Sequence, residues 1–271
     1  MLFMGKGEWV PAELGVGLIG IGREWGHVKT PVLEEKQALE FLSMADGLGI
    51  RYFDTSPSYG VSEERLGKFL HALTPEQRTG ITVATKFGEH WDAAAQSAYT
   101  DHSLPALRTS LEQSLIRLGS IDVLQVHKTT PEVLRSIDLQ QALTHAQERG
   151  IRSFGASVSD LESARLVCES DMFSTIQLPF NQANQTFADI IELAQNKGKT
   201  VVVNRPFNMG AILYEVKQDR NGESNKVTAY CFITQRLKRH GVVLTGTKSP
   251  SHLQENFAAF QKALAVQAGT I

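Results

Sequence analysis

Short runs of β-branched and other apolar residues alternate along this chain with longer stretches whose apolar positions recur every three or four residues. The runs predict strands at Leu18–Gly22 (LIGIG), Arg51–Thr55 (RYFDT), Ile81–Lys86 (ITVATK) and Asp122–His127 (DVLQVH). Four more follow at Ile151–Ser157 (IRSFGAS), Ser174–Leu178 (STIQL), Thr200–Arg205 (TVVVNR) and Val242–Thr245 (VVLT). Most are continuously apolar, the pattern of parallel strands covered on both faces. Between them, LEEKQALEFLSMADGLG sets Leu33, Ala38, Leu42 and Ala45 on one helical face. LPALRTSLEQSLIRLG aligns Leu104, Leu107, Leu111, Leu115 and Leu118 ahead of Gly119, a natural helix stop.

Strict strand–helix alternation predicts an α/β fold with a parallel sheet. Eight strands in 271 residues favour a closed (β/α)8 TIM barrel over an open sheet, since such barrels run to about 250 residues as one unit. No Pro/Ser/Gly linker divides the sequence, so residues 1–271 are expected to form a single domain. The longest irregular piece, residues 206–225, follows the seventh strand on the side where barrel enzymes keep their chemistry.

Composition removes several function classes. A net charge of −2 without any Lys/Arg run leaves no electrostatic footprint for nucleic acid. No segment approaches the ~18 uninterrupted apolar residues of a membrane span, and MLFMGKGEWVPAEL lacks the pattern of an export signal. Cys168 and Cys231 are far apart and outside any CxxC spacing, and the eight histidines form no HExxH-type motif, so no metal is expected. A cytoplasmic protein acting on a small molecule, without nucleic-acid or membrane partners, is the expectation.

Two motifs resemble nucleotide sites. Gly15-Val-Gly17-Leu-Ile-Gly20 matches GxGxxG, but the glycines lie within the first predicted strand instead of between a strand and a helix, so they read as barrel glycines. In VVLTGTKSPSHLQEN, Gly246, Thr247, Lys248 and Ser249 depart by one residue from a P-loop. That segment is equally a helix start, with Ser249 as N-cap and Pro250 at N1, or a phosphate site at such a start.

The polar residues at strand ends carry more. Asp54, Lys86 and His127 close the second, third and fourth predicted strands, and Tyr59 lies in the turn after Asp54. Singly, each has an ordinary role as a turn cap, a snorkelling lysine, a core histidine or a packed ring. Together they place an acid, an amine, an imidazole and a phenol at one mouth. Asp54 would keep Lys86 charged, and the ammonium would pull the Tyr59 phenol down from ~10 toward working pH. His127 would donate a hydrogen bond to a substrate oxygen. Such a site protonates a developing alkoxide and needs a hydride source, for which a nicotinamide is natural.

At this point the residues resemble the aldo-keto reductase family, as a short, bacterial-type member. FDTSPSYGVSEERLG is similar to that family's signature, with Lys86 and His127 at its remaining catalytic positions. The resemblance implies Tyr59 as general acid, tuned by Lys86 and Asp54, with His127 orienting the carbonyl. It implies Ser157, Gln177 and Asn181 near the nicotinamide, with Arg205 and Pro206 after the seventh strand. Val158 and Asn204 stand where relatives often carry Asn and a stacking Tyr. Gly246, Thr247, Lys248, Ser249, His252, Glu255 and Asn256 fall on the adenosine-phosphate segment, His252 where many relatives have Arg. Lys248 and Ser249 are placed to reach a 2′-phosphate, so NADPH is expected as cofactor (NADP). An imidazole holds phosphate less well than Arg's bidentate fork, so the preference is expected to be weak, with NADH tolerated. The chain stops soon after its last helix, without the C-terminal tail of longer relatives. This implies an open pocket edged by Trp25, Trp91 and residues 206–225, for small aldehydes, ketones or sugars, in a monomer. Two rivals are a nicotinamide-binding sensor with little turnover and a different barrel enzyme, an isomerase or aldolase forming a Schiff base on Lys86, which a protonated lysine disfavours.

Overall fold

The computed structural model describes residues 11–25, 31–214, 225–238 and 241–269. The N-terminal ten residues, and the 215–224 part of the loop expected to edge the pocket, lie outside the described residues. In chain order the elements begin with β1 (Glu13–Gly17), α1 (Ile19–Gly22), α2 (Glu35–Gly47), β2 (Tyr52–Asp54), α3 (Ser62–His71), α4 (Pro75–Arg78) and β3 (Thr82–Phe87). A hairpin, β4 (Glu89–Asp92) and β5 (Ser97–Thr100), precedes α5 (Leu104–Leu118), β6 (Val123–Val126), α6 (Pro131–Arg135) and α7 (Ile137–Glu148). The rest is β7 (Ser153–Ser157), α8 (Leu161–Glu169), β8 (Thr175–Pro179), α9 (Ala188–Asn196), β9 (Thr200–Asn204), α10 (Ala211–Tyr214), α11 (Asn225–Thr234), β10 (Gly241–Thr245) and α12 (Pro250–Gln267).

Eight of these strands close a parallel barrel in the order β1-β2-β3-β6-β7-β8-β9-β10, with β10 pairing back onto β1. The (β/α)8 barrel expected from the alternation is the fold. Helix faces follow the spacing: Leu107, Leu111 and Leu118 of α5 are buried against the barrel while Ile116 points to solvent. Gly119 ends that helix at φ +77°, a conformation only glycine adopts without strain.

One strand is not where the apolar run predicted it. Leu18–Gly22 leaves the sheet, and Ile19–Gly22 is a helical turn. The strand is Glu13–Gly17, in register with β2 through Gly15↔Tyr52 and Gly17↔Asp54. Leu18 and Ile21 are fully buried, and a short buried apolar run does not distinguish strand from helix. Gly15 packs in the barrel wall, where a side chain would come within 2.9 Å of Leu244 and Val242. The glycine motif is therefore a packing feature. The β4–β5 hairpin was not anticipated either; it stands over the mouth beyond β3 and pairs Trp91 with Ala98.

Candidate active site

The carboxyl ends of β2, β3 and β6 bring the predicted acid, amine and imidazole together. Lys86, wholly buried, donates from Nζ to Asp54 Oδ2 at 2.6 Å and to the Thr55 carbonyl at 2.8 Å. Gln125 Nε2 donates to the second Asp54 oxygen at 3.1 Å. The ammonium lies 5.0 Å from the Tyr59 ring centroid, and its charge acts on the phenol. A lone charge in a barrel interior would neutralise itself; one with a paired carboxylate and a carbonyl stays ionised.

Tyr59 is aimed by its turn. Its N–H bonds the Ser56 carbonyl at 3.0 Å, and its own carbonyl accepts from Ser62 N, which starts α3. Gly22 presses on the same turn, where a Cβ would fall 1.8 Å from the Tyr59 carbonyl oxygen. Gly60, at φ +60°, meets the Gly22 carbonyl in return. These two glycines let the β1 loop and the β2 loop touch backbone to backbone.

The electrostatics differ from expectation in one respect. Burial pulls the Lys86 amine down, but Asp54 and Tyr59 outweigh it and its pKa is raised. Burial raises the Tyr59 phenol, and the downward pull of Lys86 does not fully offset it, so the net shift is upward rather than toward neutrality. Tyr59 is therefore a protonated donor at neutral pH. Burial, then the charges of Lys86, Lys128, Arg23 and His102, hold His127 well below the usual histidine value, so its ring is neutral.

His127 lies one residue past β6, tied by its N–H to the Phe87 carbonyl at 2.9 Å. Its Nδ1 is 3.1 Å from Glu89 Oε2 and 3.4 Å from Ser56 Oγ. Ser58 Oγ donates to the same Glu89 oxygen at 2.7 Å, and Lys128 Nζ is 3.5 Å from the other. A neutral ring beside a carboxylate keeps its proton on that side, leaving the Nε2 lone pair as acceptor. The polarising donor expected of His127 requires the opposite tautomer. Sequence reasoning missed Glu89, Ser56 and Ser58. The serines flank Tyr59 within the quoted signature, whereas Glu89 reaches the site only because the unforeseen hairpin turns it inward.

On the opposite rim, Ser157 at the end of β7 is the register partner of Gln177 in the middle of β8. Gln177 Oε1 and Asn204 Oδ1 are buried without a hydrogen-bond partner, acceptors that fit the amide of a nicotinamide. Asn181 is spent on the chain itself: it donates to the Arg205 carbonyl at 2.9 Å and accepts from Ala183 and Asn184. Arg205 is exposed at φ +55°, with Pro206 buried behind it. Beyond β10, Gly246 is exposed, Thr247 Oγ1 accepts from Ser249 N at 3.1 Å, and Ser249 caps α12 by accepting from His252 N. Lys248 bonds the Pro31 carbonyl, His252 is exposed, Glu255 pairs with Lys226 at 2.6 Å, and Asn256 donates to Thr245. The helix-start reading of this segment holds: Ser249 is the N-cap and Pro250 the first residue of the 18-residue α12.

Trp25 is half exposed and Trp91 stands on the hairpin; Arg23 lies between them at the mouth. Among the described residues no His/Cys/Asp/Glu group is arranged to hold a metal, and no helix is long and apolar enough to cross a membrane.

Residues 13–229 match the model of the aldo/keto reductase family. The chain is 28% identical to L-galactose dehydrogenase of Arabidopsis thaliana, over 91% of this chain and 85% of that one. It is 28% identical to YqkF, an uncharacterized oxidoreductase of Bacillus subtilis, over 84% and 71%. A crystal structure of an aldo-keto reductase-type protein from Pseudomonas aeruginosa superposes with a TM-score of 0.75 at 25% identity, covering 94% of this chain and 91% of that one. The chain belongs to the aldo/keto reductase family and is an oxidoreductase of that family.

Proposed function

We propose that this protein reduces aldehydes, ketones or sugar carbonyls, and in reverse oxidises alcohols or hemiacetals, with NADPH as preferred cofactor and NADH tolerated, as a single barrel domain. The observation that carries this is Tyr59, a protonated phenol whose ring lies 5.0 Å from a buried ammonium that Asp54 locks in its charged form. A bound nicotinamide supplies the hydride for the carbonyl carbon. Tyr59 donates its proton to the alkoxide that develops, a far stronger base than a phenolate, so a raised phenol pKa does not obstruct the transfer. Lys86 stabilises the phenolate left behind, and Asp54 prevents the lysine from surrendering its charge. His127 accepts a hydroxyl hydrogen at Nε2, which favours hydroxy-carbonyl compounds and sugars. The sugar substrates in the names of the Arabidopsis relative and of D-threo-aldose 1-dehydrogenase from a Pseudomonas species, 30% identical over 60% of this chain, agree with that.

Lys248 and Ser249 at the start of α12 support a 2′-phosphate, hence NADPH. The test is NADPH oxidation followed by absorbance with an activated benzaldehyde and a panel of aldoses. Turnover is expected with the benzaldehyde. Tight NADPH binding without turnover across the panel would sink the reductase reading.

A further inference from the structure

The loop after β1 carries to the mouth a cation that has no ion-pair partner among the described residues. Arg23 Cζ lies 5.5 Å from the Trp25 ring centroid and 5.0 Å from that of Trp91, which reaches over from β4. The backbone contact between Gly22 and the Tyr59 turn fixes this arginine beside the proton donor; a Cβ on Gly60 would be 3.3 Å from that of Arg23. Its charge also acts on His127.

Among the described residues the Arg23 guanidinium makes no hydrogen bond or ion pair, and its Nε is buried without an acceptor. Of the carboxylates at the mouth, Asp54 is engaged by Lys86, and Glu89 by His127, Ser58 and Lys128; Glu24, next in the chain, is exposed and makes no ion pair with Arg23 among the described residues. Indole faces stabilise the charge of a guanidinium but satisfy none of its N–H groups. A buried donor of this kind is costly unless an acceptor arrives with a ligand.

We propose that Arg23 receives a carboxylate carried by the substrate, so that the preferred substrates are aldehyde, keto or sugar acids. The inference rests on the reductase reading of the same site and names its substrate class. A guanidinium fork matches the two oxygens of a carboxylate. One cation balances one such charge, while a phosphate dianion asks for a second, and Lys128 is already turned to Glu89.

The test compares para-carboxybenzaldehyde with its neutral methyl ester in NADPH-dependent reduction by the full chain. Benzoate and benzamide binding is measured by calorimetry with NADP present. The acid should exceed the ester in kcat/KM by about 10- to 100-fold, the worth of a charge-assisted hydrogen bond. Arg23→Gln should collapse that ratio and abolish the benzoate heat, and Arg23→Lys should retain part of both, which guards against a misfolded variant. Equal rates on acid and ester would overturn the inference and leave the reductase reading standing. If neither aldehyde reacts, benzoate binding that is lost in Arg23→Gln upholds the anion site although the reductase reading has fallen; no benzoate binding sinks both. Preference for para-formylphenyl phosphate over the acid would overturn the carboxylate assignment. So would an equal loss of NADPH affinity in Arg23→Gln, since the arginine would then serve the cofactor.

Discussion

The rim made by β2, β3 and β6 and the rim made by β7 to β10 solve different problems. On the first, polar groups satisfy one another: Asp54, Lys86, Thr55 and Gln125 form one set, and Ser56, Ser58, Glu89 and His127 form a second. Gln125 Oε1 is the exception. On the second, Gln177, Asn204 and Asn256 each keep a buried oxygen without a donor. Charges that stabilise a transition state work best when already in place, and a buried lysine holds its charge only beside its counter-ion. A cofactor that enters and leaves instead needs partners that its own groups complete. Substitutions on the first rim should therefore reduce turnover and stability, and those on the second should reduce affinity.

The largest expected effect is Tyr59→Phe. Removing the phenol proton should lower turnover by about 10²- to 10⁴-fold, the usual worth of a general acid, with NADPH affinity by fluorescence titration changed less than about twofold. A rate close to wild type would remove Tyr59 from the mechanism and erase the distinction between the rims. Asp54→Asn comes next. It leaves Lys86 buried without its counter-ion, so a loss of about 3 kcal/mol in urea unfolding is expected, with a matching fall in turnover. A stable, fully active variant would show that the Thr55 carbonyl and Tyr59 suffice to hold the ammonium.

How legible each rim was in the sequence follows from the same contrast. Asp54, Lys86 and His127 were visible because polar residues ended apolar runs, and a barrel places all such ends on one face. The ladder itself corrected the details: Lys86 is followed in β3 by Phe87, and His127 falls just beyond β6. The strand at Glu13–Gly17 was misplaced because burial, not β-branching, selected Leu18 and Ile21. Glu89 had no local signal; its role depends on a hairpin whose residues do not alternate in polarity. The upward shift of Tyr59 was invisible too, since a sequence shows a cation nearby but not how little water reaches the phenol.

On the rim of β7 to β10, where the proposed function seats the cofactor, Lys248→Ala should raise the Michaelis constant for NADPH about tenfold, the cost of one charge-assisted bond to phosphate. The constant for NADH, which lacks that phosphate, should move much less. Equal changes for both cofactors would assign Lys248 to tying α12 to the Pro31 carbonyl, and the NADPH preference would lose its main support.

The smallest expected effect is a level line. Tyr59, raised above its ordinary 10, remains the protonated donor that reduction needs until the pH exceeds that value. Lys86, raised above 10.5, remains charged over the same span, and His127, held well below 6.5, remains neutral. The turnover number for reduction should therefore vary less than about twofold between pH 6 and 9. An inflection near 6.5 would mean that His127 titrates as it would in water, and the first rim would not be preformed. Asp54→Asn sharpens the measurement: the largest upward cause on Lys86 is gone, burial then pulls its pKa down, and the alkaline decline should begin at lower pH than in the wild type. An unmoved decline would place the titration on a group other than the lysine–phenol pair.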